Sequence, residues 1–430
     1  MRDFKHLLDN DSSQPSRGSR SIATYAIILV VVVVVAVLSV RKGAQAISSW
    51  QQGKHKTKST QSEPVRSRSL FSTAQELIPQ ATITGDRLTA STTDGMQYTY
   101  SIDPELQKRV SSFMRTANPP YAVFIAMEPA TGRILSMTSH SSLDSSWFRE
   151  GPYLTFPMAS LFKMITATAA LEQQKINPGT VISFRGRLVS ESPRQWDPSP
   201  KHPNISMDVT TAMGKSVNPI YGRIASDFLG RDALHQTCNR FGFNKDLFAP
   251  EVPVLRSQAR LPEGVEALRL QGCGLDHDLK VSPLHALAIV SALGNKGVMV
   301  EPRLLDKLAK KGKELPVPAA KTISQVTTPE TAHQVTQMLL TAVTSGTSRK
   351  AFNTPQGRKL KKDVKIAAKT GSIDGDNPKG HYSWFAAYAP ADQPRIAVVA
   401  LVINGDRWKI KATQLGEVAL TTYLKSPATK

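Results

Sequence analysis

The sequence contains only two cysteines in 430 residues, Cys238 and Cys273. They form neither the spacing of a metal site nor a redox motif, so a cysteine-based metal centre and a catalytic dithiol are excluded. A disulfide between them is permitted outside the cytoplasm, but free buried cysteine is common, and we expect both thiols to stay unpaired. No metal and no cofactor are expected.

Acidic residues are scarce relative to basic ones. The chain has 34 Asp and Glu against 54 Lys and Arg, a formal net charge of +20. An excess of this size indicates a polyanionic partner, so nucleic acid, anionic lipid and anionic cell-wall polymer are the candidates. Which of these polyanions the chain can meet depends on the side of the membrane on which its basic domain lies.

Long apolar runs are also absent, with one exception. Between Arg20 and Arg41 lie twenty residues without a charge, about the length that crosses a bilayer as a helix. We predict a transmembrane anchor at 21–40. A cleaved signal peptide is the alternative, since Ala44 and Ala46 form an A-x-A-like site, but its apolar region is typically only about 7 to 15 residues long.

The orientation of this anchor does not follow from flanking charge. Four Lys and Arg precede the span and five lie in the twenty residues after it, which does not favour a cytoplasmic N-terminus. Long C-terminal domains cross largely regardless of such charges. We expect a cytoplasmic tail at 1–20 and an external domain, partly because of the resemblance described below. Outside the cell membrane, lipid headgroups and wall polymers replace nucleic acid as the expected polyanions.

Several segments predict the organisation of the external part. Residues 41–96 are rich in Ser, Thr, Gln and Lys and indicate a polar linker or short pedestal. "YSIDPELQKRVSSFM" predicts a helix with Asp103 as N-cap and Pro104 at its first position. "YAVFIAMEPATGRILSMTS" predicts two strands joined by a Pro/Thr/Gly turn.

A helix-rich block fills the middle of the chain, and three strand-like runs follow it. These runs are "VKIAAKTG", "YSWFAAYAP" and "RIAVVALVI". Strands at both ends with helices between them predict an α+β domain over 97–430, with an antiparallel sheet whose strands come from distant parts of the sequence.

The segment "FPMASLFKMITATAALEQ" places Ser160 and Lys163 three residues apart, which puts them on one face of a helix. Apolar neighbours would bury that helix and desolvate the lysine, and a desolvated amine is a base near neutral pH. The pair alone is a weak signal. Ser39 and Lys42 have the same spacing at the membrane boundary, where a snorkelling lysine explains it.

Two further stretches carry candidate residues. "GKSVNPIYGRIA" places Ser216 and Asn218 before a proline, and helix capping is the alternative interpretation. "IAAKTGSIDG" ends a strand with Lys369, Thr370 and Gly371, the only Lys-Thr-Gly in the chain. A solvated hairpin is the alternative there.

Together and in this order, S-x-x-K, S-x-N and K-T-G resemble the signature set of penicillin-binding proteins and serine β-lactamases. "GCGLDHDLKVSPLHALAIVSALGNKG" and the Gly-Thr that closes "TTPETAHQVTQMLLTAVTSGT" also resemble family segments, and the match runs from 97 to about 424. The chain resembles a monofunctional, membrane-anchored transpeptidase. The resemblance implies an antiparallel β-sheet flanked by helices, with an all-helical subdomain.

The resemblance implies roles for the first two motifs. Ser160 would attack the penultimate D-alanine carbonyl of a peptidoglycan stem peptide, and Lys163 would take the hydroxyl proton. Ser216 would relay that proton to the departing D-alanine. Asn218 would hold the peptide and orient Lys163.

The third motif would bind substrate. Lys369 and Thr370 would hold the terminal carboxylate, and Gly371 would keep the strand edge clear of side-chain bulk. The backbone N–H groups of Ser160 and Ser372 would form the oxyanion hole.

The expected location and partners follow from the resemblance. The chain would be a single-pass protein of the bacterial cytoplasmic membrane, with its catalytic domain on the extracytoplasmic side. Its partners would be the stem peptide or lipid-linked precursor, β-lactams, and a glycan polymerase or wall-synthesis complex, but not nucleic acid. A D,D-carboxypeptidase, in which water replaces the amine acceptor, and a catalytically silent scaffold or receptor remain the alternatives.

The sequence also departs from related enzymes. None of Glu251, Glu263 and Glu266 has Asn four residues later, so the E-x-x-x-N of class A β-lactamases is missing, and S-x-N rather than S-x-V differs from class D enzymes. Ala368 stands where the family often has Gly, and we expect only tighter packing. His381 opens a strand, and we expect a structural role because a Ser/Lys mechanism needs no histidine base.

Overall fold

The structure is a computed structural model that describes residues 70–250 and 252–425. The predicted tail, the anchor at 21–40 and the first part of the predicted linker lie outside these residues. Among the described helices, none combines the length and the apolar character that a bilayer crossing requires.

Twelve helices are named here for the described residues. They are α1 (Leu70–Leu77), α2 (Pro104–Ala117), α3 (Trp147–Glu150), α4 (Lys163–Glu172), α5 (Val209–Lys215), α6 (Asn218–Arg223), α7 (Arg231–Arg240), α8 (Gly264–Cys273), α9 (Pro283–Gly294), α10 (Pro329–Thr344), α11 (Pro355–Asp363) and α12 (Ala412–Lys425).

The strands are β1 (Thr82–Thr84), β2 (Arg87–Ser91), β3 (Met96–Tyr100), β4 (Tyr121–Met127), β5 (Ile134–Ser141), β6 (Phe156–Pro157), β7 (Val181–Phe184), β8 (Ile205–Asp208), β9 (Lys280–Val281), β10 (Val298–Val300), β11 (Leu305–Lys310), β12 (Lys313–Leu315), β13 (Thr322–Gln325), β14 (Ala367–Asp376), β15 (Lys379–Ala389) and β16 (Ile396–Asn404).

The central sheet has five antiparallel strands in the order β14-β15-β16-β4-β5. The pairing of β16 with β4, for example Leu401 with Val123, joins the C-terminal strands to the N-terminal pair. The prediction of an antiparallel sheet built from distant segments is confirmed, as are its five strands. β14 is the outermost strand on one side.

Both faces of this sheet are covered, which explains its continuous apolar strands. Side chains alternate between faces along a strand: Val123 and Ile125 of β4 lie in one core, and Phe124 and Ala126 lie in a second. Helices α4 and α9 pack in the first core. Helices α2 and α12 cover the second, together with Leu360 of α11.

Helix α2 begins as the sequence predicts. Asp103 Oδ1 accepts a hydrogen bond from Leu106 N at 2.8 Å, and Pro104 occupies the first turn, where its missing N–H costs nothing. The helix ends at Ala117, and the next residue, Asn118, adopts a left-handed φ of 47°. The predicted N-cap is confirmed.

The middle of the chain, from α4 to α9, is mainly helical but not all-helical. Strands β7 and β8 form an antiparallel pair, and β6 pairs with β9. The side chains of β7 alternate between exposed and buried positions, a period of two that suits a strand and not a helix. The prediction of an all-helical subdomain is therefore wrong in this respect. Cys238 and Cys273 are buried and free, as expected.

Residues 70–96 were predicted as part of a polar linker or short pedestal, and the linker interpretation is wrong for them. They form α1 and the first strands of a second antiparallel sheet, with the order β1-β2-β3-β11-β12. Short Thr-rich strands alternate here with turns at Gly85 and Gly95, both with positive φ. The composition suggested a linker because these strands are polar, while their turn signals indicate hairpins.

Candidate active site

Ser160 lies in a short turn that leads into a buried helix. Residues Ala159–Phe162 form one 3₁₀ turn, and α4 begins at Lys163. Ala159 has a φ of 52°, unusual for a residue with a side chain. Gly274 packs against this residue so closely that a Cβ on Gly274 would lie 2.0 Å from the Ala159 carbonyl oxygen. The turn that carries Ser160 is thus held by direct backbone contact.

Lys163 is completely buried and points at three oxygen atoms. Its Nζ donates to Ser160 Oγ at 2.6 Å, Asn218 Oδ1 at 2.8 Å and the Cys273 carbonyl at 2.7 Å. Only the Ser160 hydroxyl carries a proton that it could give in return, because the amide and carbonyl oxygens are acceptors only. A neutral Lys163 amine therefore has its lone pair available to the Ser160 proton.

Burial also sets the basicity of this amine. It lowers the pKa of Lys163 to about 8, since a charged ammonium is disfavoured away from water. The expectation that apolar neighbours desolvate Lys163 is confirmed.

Ser216 and Asn218 lie at the junction of two helices. Ser216 ends α5 with a left-handed φ of 57°, and Asn218 begins α6, which has no side-chain cap. The Asn218 backbone N–H donates to the Leu188 carbonyl at 2.8 Å, and its Nδ2 donates to the Ser190 carbonyl at 3.3 Å. These two contacts leave Oδ1 for Lys163, so helix capping does not explain the pair.

Lys369 is the second completely buried lysine of the site. Its Nζ donates to Ser216 Oγ at 2.8 Å and to the Thr370 carbonyl at 2.8 Å. Burial, and then the charge of Lys163, hold the pKa of Lys369 well below its usual value. Thr370 Oγ1 is 2.7 Å from the exposed hydroxyl of Thr347. β14 and β15 do form a hairpin, but the Lys369 side chain points into the protein and is not solvated.

Gly371 brings β14 against the serine turn. A Cβ there would lie 3.0 Å from Ala159 Cβ and 3.4 Å from the Ser160 backbone nitrogen, so a larger side chain would separate the strand from the turn. Ser372 follows on β14, exposed and opposite Ser383 in the register. Hydrogen bonds thus join Lys163 to Ser160 and Asn218, and Lys369 to Ser216 and Thr370. Gly371 packs against the turn that carries Ser160, and Ser372 adjoins Gly371 in sequence.

Three groups around the site were not identified from the sequence. They are the Cys273 carbonyl, the Thr347 hydroxyl and the backbone of residues 188–190. The Gly272-Cys273-Gly274 pattern is part of a segment that resembles the family, but a sequence pattern does not indicate which carbonyl points at Lys163.

The loop that contacts Asn218 is fixed by a buried arginine. Arg269, 7% exposed, binds both oxygens of Asp197 at 2.6 and 2.9 Å. The adjacent Trp196 donates its Nε1 proton to Ser190 Oγ at 3.1 Å. A chain of contacts therefore runs from Arg269 through Ser190 and Asn218 to Lys163.

The other two residues discussed from the sequence lie apart from this cluster. Ala368 is completely buried in the second core, where its methyl group packs. His381 hydrogen-bonds to Asp374 and stacks on Trp408 with ring centroids 5.8 Å apart. These contacts agree with a structural role for His381.

Comparison with known proteins gives one consistent result. The family described as the penicillin binding protein transpeptidase domain matches residues 122–418. The chain is similar to peptidoglycan D,D-transpeptidase PbpA of Mycolicibacterium smegmatis, with 26% identity over 71% of this chain and 67% of the relative. It is 27% identical to stage V sporulation protein D of Bacillus subtilis, over 72% of this chain and half of the relative.

The fold is similar to that of a solved structure, PBPA from Mycobacterium tuberculosis. The TM-score is 0.64 with 21% identity, and the match covers 82% of this chain and 86% of the other. At this identity the comparison supports the fold alone.

Proposed function

The chain belongs to the penicillin-binding protein transpeptidase family, and on this basis we propose that it cross-links peptidoglycan as a serine D,D-transpeptidase. The observation that carries the proposal is the 2.6 Å contact between Lys163 Nζ and Ser160 Oγ, inside a site where the other two partners of the amine can only accept. Relatives named peptidoglycan D,D-transpeptidases support the choice of substrate.

The acylation step uses Ser160 and Lys163. The Ser160 oxygen forms a bond to the penultimate D-alanine carbonyl as its proton moves to Lys163 Nζ. The backbone N–H groups of Ser160 and Ser372 stabilise the oxyanion of the tetrahedral intermediate. The C–N bond to the last D-alanine then breaks, and Ser216 relays the proton to that leaving amine. The nitrogen of an amine acceptor afterwards attacks the ester carbonyl, the C–O bond to Ser160 breaks, and a proton from that nitrogen returns to the Ser160 oxygen.

Lys369 and Thr370 provide the site for the terminal carboxylate. Burial, and then the charge of Lys163, depress the pKa of Lys369, and an incoming carboxylate raises it again by direct attraction. Binding of the carboxylate is therefore coupled to a charged Lys369. Thr347, in contact with Thr370, adds a second hydroxyl beside this position.

The pH dependence of acylation follows from Lys163. Its pKa of about 8 means that the neutral, basic form increases as the pH rises toward 8. We expect the rate of acylation by a fluorescent penicillin to rise about tenfold per pH unit below pH 8 and to level off above it. Rates of labelling of the full chain in detergent, across about pH 6 to 9, measure this. A rate that is flat or falls over this range would contradict a Lys163 base.

The membrane location and the wider partners belong to the same proposal. The uncharged residues 21–40 would anchor the chain, with 1–20 cytoplasmic, 41–69 as linker and the catalytic domain extracytoplasmic. Lipid-linked precursor would supply the stem peptide, β-lactams would acylate Ser160, and a glycan polymerase or wall-synthesis complex would work beside the chain.

Two measurements on the full chain in detergent test the activity. Penicillin treatment followed by peptide mapping should place the adduct on Ser160, and an unlabelled protein would indicate a silent scaffold. Incubation with a stem pentapeptide and an amine acceptor should give a product with the mass of the acceptor conjugate. Shortened peptide alone would assign the protein as a D,D-carboxypeptidase.

A further inference from the structure

The surface around α11 has a concentration of positive charge that the proposed catalysis does not use. Between 349 and 365 the chain has seven Lys and Arg but one acid, Asp363. Six of the seven side chains are exposed and Lys361 is half-buried. These basic residues are Arg349, Lys350, Arg358, Lys359, Lys361, Lys362 and Lys365.

These cations have no salt-bridge partner among the described residues. In the part of the chain that the structure describes, the salt bridges involve other residues, and none of the seven takes part in one. Unpaired like charges repel one another and destabilise the compact state. An anionic ligand would remove that repulsion, so the surface has a physical reason to bind one.

A groove of about 1010 Å³ lies beside this segment. Its walls are α2, residues 350–356 and α12, so it lies on the face of the central sheet that bears the second core. Four cations line it: Lys108, Arg109, Lys350 and Lys425. We call this cavity, with the adjacent α11 cations, the basic groove.

Polar uncharged groups complete the lining. Hydroxyl groups come from Ser112, Thr354, Thr421 and Thr422, and amides from Gln356 and Gln414. Two carboxylates, Glu105 and Glu417, also line the groove, but Glu417 is buried and accepts the Thr354 hydroxyl at 2.5 Å. The hydroxyls of Thr354, Thr421 and Thr422 already donate to Glu417 or to backbone carbonyls of α12, so they can only accept from a ligand. The groove thus combines an excess of cations with hydroxyl acceptors and two amides, which suit a hydroxylated chain.

We propose that the basic groove binds a polymer of repeated phosphodiesters with a polyol backbone, the chemistry of an anionic cell-wall polymer. The cations spread from the groove along α11 instead of converging on one point, which fits repeated charges better than a single phosphate. The concave shape fits a chain better than a flat bilayer, whose headgroups would meet the rim. The hydroxyls and amides match the polyol units between phosphates.

Binding of labelled poly(glycerol phosphate) to the full chain in zwitterionic detergent tests this, read by fluorescence anisotropy. Lys108→Gln with Lys350→Gln removes two groove cations and keeps helix-compatible side chains. Loss of these two cations should weaken the affinity of the double variant for poly(glycerol phosphate) by roughly 30-fold at low salt. The unaltered chain should also lose affinity steeply as salt is added.

A matched control carries Lys307→Gln with Lys313→Gln, two exposed lysines of β11 and β12. It has the same change in net charge, and we expect its affinity to stay within about threefold of the unaltered chain. Equal weakening in both variants would mean attraction by net charge alone and would overturn the proposal, as would no binding by the unaltered chain. Unchanged penicillin labelling of both variants verifies the fold.

A membrane surface is the competing occupant, and footprinting distinguishes it. Without polymer, the extent of acetylation of Lys350 and Lys359 in the full chain should be the same in phosphatidylglycerol nanodiscs as in phosphatidylcholine nanodiscs. Protection by the anionic lipid alone would assign the groove to lipid headgroups and overturn the proposal. Protection by added poly(glycerol phosphate) in phosphatidylcholine nanodiscs supports it.

Discussion

Replacing Lys163 with methionine is expected to slow acylation of Ser160 by penicillin about 10³-fold, a typical contribution of a positioned general base. Methionine fills similar space but cannot accept the Ser160 proton. The three contacts of Nζ with Ser160, Asn218 and Cys273 are lost together. The measurement is the second-order rate of labelling of the full chain by fluorescent penicillin.

The pH profile separates loss of the base from general damage. The residual labelling of Lys163→Met should no longer rise toward pH 8, because the group that titrates there is gone. Lys175→Met is the matched control, since Lys175 is exposed just after α4. It should keep both the rate and the profile. A Lys163→Met protein that labels within tenfold of the unaltered chain, or that keeps the rise with pH, would assign the base elsewhere.

Gly274→Ala should reduce acylation about 100-fold, although Gly274 has no side chain in the site. Its added methyl would lie 2.0 Å from the Ala159 carbonyl oxygen and 3.1 Å from the Ser160 nitrogen. The backbone of Ala159 cannot move aside as a flexible side chain can, so the whole turn that carries Ser160 must shift. Displacement of a reacting group by about 1 Å is enough for a loss of this size. The labelling rate and the thermal midpoint of the full chain are measured together.

Gly264→Ala is the control for backbone strain. Gly264 has a φ of 82° and Gly274 one of 81°, so alanine meets the same left-handed conformation at both positions. A Cβ on Gly264 has nothing within 4 Å. Both variants should lose some stability, but only Gly274→Ala should lose acylation. Equal losses of rate in the two variants would show that strain, and not contact with the serine turn, is responsible.

The parts of the fold that sequence predicts well are those with a local cause. Asp103 followed by Pro104 is a local capping signal, and it places the start of α2 correctly. The apolar runs of β4 and β16 are continuous because both faces of the sheet are covered, so their strand character is visible in the sequence. The separation and apolar neighbours of Ser160 and Lys163 also lie in one segment, but Ser39 and Lys42 have the same spacing. The pair was therefore predictable only together with the S-x-N and K-T-G stretches that follow it in the chain.

The remaining features depend on contacts between distant segments. Residues 82–100 are polar strands that are stabilised by pairing of β3 with β11, and their composition does not reveal that partner. The contact of the Cys273 carbonyl with Lys163 cannot be predicted from the sequence either, because every residue has a carbonyl and only the fold determines which one faces Lys163. Thr347 is adjacent to Thr370 only after α10 and β14 have packed together.

The strand order of the central sheet has a consequence for how the chain is made. β4 leaves the ribosome long before β16, yet Met127 of β4 pairs with Ala397 of β16. The edge of β4 that bonds to β16 therefore stays unpaired until most of the domain has been synthesised. β14, which carries Lys369, pairs in this sheet only with β15, which in turn joins β16. Pairings between such distant segments form slowly. Newly made chains therefore pass through a period in which β4 and β5 are exposed, and they need protection from aggregation until synthesis has passed residue 404.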